Sequence, residues 1–220
     1  MIISSVGLKQ VNNAGDVAII QQLLNFRKDL TKSLDDIKVD GVLGEKTLQS
    51  IKVVQKAYSL KIDAVVSPFG ATLKALWPVL FGKPTGYGIR GKDSYGEGYH
   101  GASRGSRVHD GADYVSVPGQ KVKAPMSGVV TKISRPYRSG IDAFTLSGVE
   151  ILASDGSKSW VWYIQPGSNI VGCVVKAGMS VLGIATTLTN RYTNGITDHV
   201  HLRIHDANGN KVNPATVIPS

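Results

Sequence analysis

Asp198-His199-Val200-His201, near the C-terminal end, constrains this chain more than any other stretch. Alternate residues of a strand point to one face, so His199 and His201 share a face. Val200, Leu202 and Ile204 make the stretch a half-buried strand. Far upstream lies His109-Asp110-Gly111-Ala112-Asp113. One imidazole and one carboxylate from that turn, with one imidazole from the strand, give three protein ligands. Three ligands and an open fourth position describe a catalytic zinc site, whereas structural sites are closed by four. With only five histidines in the chain, the alternative is an ordinary polar pair on a strand.

The chain has 220 residues, room for one large domain or two small ones. No apolar run is long enough for a transmembrane helix. No basic stretch followed by a long apolar run opens the chain, so no signal peptide is expected. One cysteine, Cys173, excludes an intramolecular disulfide and a cysteine-rich metal site. Synthesis in the cytoplasm and export by another route are the expectation. The net charge is +9, spread over both halves. This suits a polyanionic partner such as a bacterial wall or a membrane surface, and equally a solvated basic surface. There is no helix-turn-helix, zinc finger or aromatic-basic stacking array, so nucleic acid is not expected.

The N-terminal third has helical periodicity. Val17, Ile20, Leu23, Leu24 and Leu34 predict a helix over 16–34 with Asp16 as N-cap. A glycine turn at Val39–Gly44 precedes a second helix, Glu45–Tyr58. Ser67-Pro68 reads as N-cap and first position of a third, ending at Leu76. Asp40-Gly41-Val42-Leu43-Gly44-x-x-Thr47-Leu48 is echoed by Asp63-Ala64-Val65-Val66 and Gly70-x-Thr72-Leu73. With Gln21-Gln22-Leu23-Leu24 and Val54-Gln55, these turns make residues 5–77 resemble the three-helix peptidoglycan-binding domain family.

Residues 78–108 are crowded with glycine and show no periodicity, which predicts a linker and then an irregular loop. That loop leads into His109, so Tyr87, Tyr95, Tyr99 and His100 are candidate substrate contacts on a groove wall. After Asp113 the pattern is β. Strands are expected at 121–124, 128–133, 144–153, 159–164, 181–184 and 199–204, with turns at Lys176–Gly178 and Asp206–Gly209. The fold class expected is α+β in two domains: a small three-helix bundle, then a mainly antiparallel β domain. The boundaries are 1–78, a glycine-rich 79–108, and 109–220.

Four motifs in order carry a second resemblance: His109-x-Gly111-x-Asp113; Val122-Lys123-Ala124-Pro125-Met126-Ser127-Gly128-Val129; Val175-Lys176-Ala177-Gly178-x-x-Val181-Leu182-Gly183; and His199-Val200-His201. Residues 86–205 resemble the lysostaphin/LytM-type zinc metallopeptidases. The resemblance implies one zinc held by His109, Asp113 and His201, with His199 as a catalytic neighbour, and peptidoglycan cross-link peptides as substrate. The family's second catalytic histidine, in Tyr-x-His, corresponds here to Gln165 of Trp162-Tyr163-Ile164-Gln165-Pro166. Gln165 cannot transfer a proton but can donate a hydrogen bond to an oxyanion; Tyr163 is a further candidate contact.

The same segment resembles the vertebrate leukocyte chemotaxin branch of this fold, which keeps the ligands and is non-catalytic. Two functions therefore stand at this point. One is a wall endopeptidase acting in the periplasm or cell wall, as a phage endolysin or a type VI-like secreted toxin with an immunity protein or apparatus component as partner. The other is a zinc-containing wall- or ligand-binding protein.

Overall fold

The computed structural model describes residues 2–31, 34–137, 146–193 and 195–219. It forms two compact units, Met1–Val79 and Leu80–Ser220. No described helix is long and apolar enough to cross a membrane.

The first unit contains strand β1 (Val6–Gly7), helix α1 (Ala14–Phe26), helix α2 (Glu45–Ala57), strand β2 (Val65–Val66) and helix α3 (Ala71–Leu76). Val17, Ile20, Leu23, Leu24, Ile51, Val54, Leu73 and Leu76 are buried together, the helical periodicity turned into a core. Helix α1 starts at the N-cap Asn13, not Asp16. Asp16 is one turn inside, where its carboxylate accepts from the Ile3 and Ser4 amides at 2.9 Å and from the Ser4 hydroxyl at 2.6 Å. The helix also ends earlier than the periodicity predicts. Arg27 leaves the helical region and donates to Asp29 and to the Ala75 carbonyl. Lys32 and Ser33, within the predicted helix, lie outside the described residues. Helix α3 starts after Gly70 rather than at Ser67-Pro68.

The weak sequence echo becomes a duplicated lock. The Gln21 amide donates to Asp40 Oδ1 and to the Val42 carbonyl, and its oxygen accepts from the Asp40 and Gly41 amides. Gln55 donates to Asp63 Oδ1 and to the Val65 carbonyl, and accepts from the Asp63 and Ala64 amides. Gly41 and Ala64 hold the same left-handed turn position, φ +72° and +55°. Alanine thus keeps the turn that glycine makes more cheaply.

The second unit contains β3 (Ala112–Val115), β4 (Lys121–Lys123), β5 (Gly128–Ser134), β6 (Ser147–Leu152), β7 (Lys158–Pro166), β8 (Val174–Val175), β9 (Val181–Ala185), β10 (His199–His205), β11 (Lys211–Val212) and a 3-10 turn, Pro214–Thr216. The expected strands are present with edges moved by one to three residues; Phe144 and Thr145 lie outside the described residues. The strand order is β11-β10-β7-β6-β5-β8, with β3 also paired to β10, and β9 paired to both β4 and β7. These pairings are antiparallel. Val130, Val149, Ile151, Val161, Ile164, Leu182, Val200 and Leu202 form its core.

Residues 80–108 belong to this unit. The Val115 amide donates to Gly88, the Arg90 amide to Asp113, and the Asp113 amide to Gly98. The segment thereby pairs with the edge of β3 that β10 leaves free, satisfying backbone groups a bare edge would expose. Its glycines permit the close approach: a Cβ on Gly98 would stand 2.5 Å from Arg90 Cγ.

Candidate metal centre

Strand register builds the site. His201 lies opposite Asp113 of β3 on one side and Trp162 of β7 on the other. Opposed residues of an antiparallel pair share a face. Two residues earlier, His199 is on the same face. His109 enters from the turn before β3, and its amide donates to Ala102. His109, Asp113, His199 and His201 are all buried.

His109 Nε2, His201 Nδ1 and Asp113 Oδ1 form a tight triangle. His109 is 3.1 Å from each of the other two, and these two are 2.9 Å apart. His109 Nδ1 donates to the Tyr99 carbonyl at 2.9 Å, which leaves the Nε2 lone pair facing inward. Burial pushes the His199 and His201 imidazoles down, toward neutrality, against the pull of Asp113. Burial pushes Asp113 up, but the His109 and His201 rings beside it outweigh this and hold the carboxyl well below the usual carboxylate range. A carboxylate and neutral imidazoles are the ligand forms that a divalent ion requires.

The residues present fit zinc. Donor atoms about 2.0–2.1 Å from a tetrahedral ion stand about 3.3 Å from one another, near the separations here. Buried His201 Nε2 has no hydrogen-bond partner, and Asp110 Oδ1 lies 3.8 Å away. A carboxylate poised beside the non-ligating nitrogen is the usual companion of a metal-bound histidine. Gly111 makes room for the ring: a Cβ there would stand 2.6 Å from His201 Nε2 and 2.4 Å from the Leu202 carbonyl oxygen. His109, Asp113 and His201 are the group of His, Cys, Asp and Glu side chains able to hold a metal among the described residues.

His199 stands beside the triangle, its Nε2 3.5 Å from Asp113 Oδ1 and its Nδ1 donating to the Thr197 carbonyl at 2.6 Å. Its Nε2 is therefore the free proton acceptor. The site opens into a cavity of about 300 Å³ lined in part by Tyr95, Arg107, Tyr137, Trp162, Tyr163 and Tyr192. The Tyr163 ring meets His199 edge-on at 5.4 Å, and Trp162 stacks on His201 at 5.3 Å. Tyr163 and Tyr137 share a hydrogen bond of 3.1 Å, and Tyr137 bonds Tyr192. Burial pushes the Tyr137 phenol up to about 12 and the Tyr163 phenol well up. Both are protonated donors at neutral pH.

Of the expected contacts, Tyr95 and Tyr163 line this cavity; Tyr87 and Tyr99 are exposed and lie outside its lining. Tyr99 acts through its carbonyl, on His109. His100 is outside the lining too, with its Nε2 buried and unpartnered. Gln165 is exposed on β7, opposite Ile184, and is not among the lining residues. The pairing of β6 with β7 skips Tyr163, whose φ is +68°. This bulge lets consecutive Trp162 and Tyr163 both face the cavity. Arg90, Tyr137 and Tyr192 were not singled out from sequence, because no motif or spacing marks them.

Fold and site together define a two-part protein: a small helical domain, then an antiparallel β domain with a buried His–Asp–His cluster. Residues 13–76 match the family described as a putative peptidoglycan binding domain. The chain is 30% identical over 140 residues to leukocyte cell-derived chemotaxin-2 of Mus musculus, covering 62% of this chain and 86% of that protein. The Bos taurus protein of that name is 28% identical over 144 residues, covering 66% and 89%. The chain belongs to the family of these proteins. Among solved structures it is similar to the antimicrobial peptidase lysostaphin from Staphylococcus simulans, at 21% identity and a TM-score of 0.44, over 60% of this chain and 49% of that one. The chain thus spans about half the length of that structure.

Proposed function

We propose that this protein is a zinc-dependent endopeptidase that hydrolyses peptide bonds in bacterial peptidoglycan cross-links. The observation that carries the reading is the triangle of His109, Asp113 and His201 donor atoms facing a tyrosine-lined cavity, with His199 unligated beside it. The N-terminal match to a peptidoglycan-binding family supports the same substrate.

A zinc ion at the triangle, when bound, supplies a Lewis acid that polarises a carbonyl and lowers the pKa of water. The protein's own groups supply the rest. His199 Nε2 accepts the proton of the attacking water and returns it to the leaving amine, held in one tautomer by Thr197. The protonated Tyr163 phenol, next to His199, donates to the developing oxyanion, the part expected of Gln165. Tyr95 and Tyr192, packed edge-on at 4.9 Å, form a wall for the peptide.

The place of action would be the wall of a target or host bacterium. The chain would reach it by phage release or by injection from a secretion apparatus. A neighbouring holin gene argues for the first, and a gene for an exported immunity protein for the second.

A second reading, a zinc-containing binding protein that does not cut, is favoured by the identity with the chemotaxin and by glutamine at the family's histidine position. Digestion of purified peptidoglycan with and without a chelator separates the two. New amino termini, found by mass spectrometry and lost on chelation, support the enzyme; binding without cleavage supports the second reading.

A further inference from the structure

A buried guanidinium behind the metal ligands has no part in the functional reading above. Arg90 and Asp93 side chains are 2% and 6% exposed. Burying such charges is costly unless each is paired and hydrogen-bonded. Here each is. Arg90 Nε and Nη2 donate to Asp113 Oδ2 at 3.1 and 2.9 Å. Its Nη1 contacts Asp93 Oδ2 at 3.0 Å and donates to the Gly96 and Gly91 carbonyls. Asp93 Oδ2 also accepts from the Thr197 amide at 2.9 Å, and Oδ1 from the Tyr95 amide at 2.8 Å. The Thr197 carbonyl in turn accepts from His199 Nδ1 at 2.6 Å.

We propose that Arg90 and Asp93 form a positioning clamp that makes Asp113 a single-oxygen metal ligand and ties that ligand to the orientation of His199. The division of labour on Asp113 carries the proposal. Oδ2 holds two guanidinium contacts, with Arg104 Nη2 a further 3.5 Å away. Oδ1 alone faces His109, His199 and His201. With Oδ2 held, the carboxylate cannot turn to offer both oxygens to an ion. From the same guanidinium, Asp93 holds the Thr197 amide, and the carbonyl of that same residue selects the His199 tautomer. A lysine cannot reproduce this, because one ammonium lacks the planar fork that reaches two carboxylates at fixed angles. Gly98 leaves the space the Arg90 stem occupies.

The clamp rests on the metal reading of the site. The test uses the full chain as wild type, Arg90→Lys, Arg90→Met and Asp93→Asn, with circular dichroism to verify folding. Zinc affinity is measured by chelator competition, metal geometry by the visible spectrum of the cobalt(II) form, and the His199 tautomer by NMR of its ring nitrogens. The expected result is a loss of zinc affinity of about 10–100-fold in both Arg90 variants, the usual size for an outer partner of a ligand. The cobalt spectrum should change as Asp113 is released. Asp93→Asn should lower affinity less and shift the His199 ring-nitrogen signals. Folded Arg90 variants with wild-type affinity and spectrum would overturn the clamp. If the Arg90 variants do not fold, Asp93→Asn decides: unchanged affinity with unchanged His199 signals overturns it. A wild type without zinc affinity removes the metal centre and the clamp together; zinc-binding wild type with indifferent variants removes the clamp alone.

Discussion

Gly111 shows how tightly single residues are specified here. A methyl group at this position would press on the His201 ring and on the Leu202 carbonyl. Gly111→Ala should therefore displace a ligand as well as strain the strand. Overpacking of this kind costs about 1–3 kcal/mol. We expect a lowered melting temperature and weakened zinc binding, read by thermal unfolding and chelator competition; a variant with unchanged zinc affinity would show that the ring can move away freely. At this scale the sequence was informative about His109, Asp113, His199 and His201, because ligand type and strand spacing carry the chemistry directly. It was silent about Arg90, whose importance lies in contacts across 23 residues. Gln165, expected from its correspondence to the family's Tyr-x-His motif, is exposed on β7 and outside the cavity lining, whereas Tyr163 at the bulge lines it.

Among the elements, α1 is anchored by a carboxylate that sequence reading took for its cap. Burial pushes Asp16 up, but the Ser4 hydroxyl and the Ile3 and Ser4 amides outweigh it, so its pKa in the fold is below the ordinary value. A carboxylate so depressed contributes stability that is fully present above its unfolded pKa, near about 3.9. That stability is lost as pH falls through the lower folded value. Asp16→Ala should lower stability by about 1.5–3 kcal/mol at neutral pH, the size of hydrogen bonds to a charged group. The difference from wild type should shrink below about pH 4. Denaturant melts at several pH values read this out; a difference independent of pH would mean that packing, not charge, is lost. The paired glutamine locks give a second expectation. Gln55→Ala leaves the buried Ala64 amide without its acceptor and should cost about 1–3 kcal/mol. The helices were legible through their apolar spacing. Their ends were not: Arg27 closes α1 with a bond to the distant Ala75 carbonyl, and the Gly70 amide closes a local turn on the Ser67 carbonyl before α3 begins. The two-residue strands β1, β2, β8 and β11 are too short to carry a period.

For the whole molecule, the order of helical unit and β unit could be read from sequence because the apolar period changes from helical to alternating along the chain. That the glycine-rich 80–108 belongs to the β unit was hidden, since its pairing with β3 uses backbone groups that any residue has. If the metal completes the β unit, zinc should stabilise it. An ion at one hundred times its dissociation constant adds about 2.7 kcal/mol, so a chelator should lower the melting temperature, and added zinc should restore it. Absence of any shift would argue against a resident ion.

The most direct measurement of the central claim is digestion of purified peptidoglycan by zinc-analysed wild type, Asp113→Ala and His199→Ala, with new amino termini followed by mass spectrometry. The account predicts cleavage by wild type that a chelator abolishes, loss of both zinc and cleavage in Asp113→Ala, and retained zinc with cleavage reduced about 10²–10⁴-fold in His199→Ala. Cleavage by wild type that survives chelation, or by His199→Ala at an undiminished rate, would contradict it.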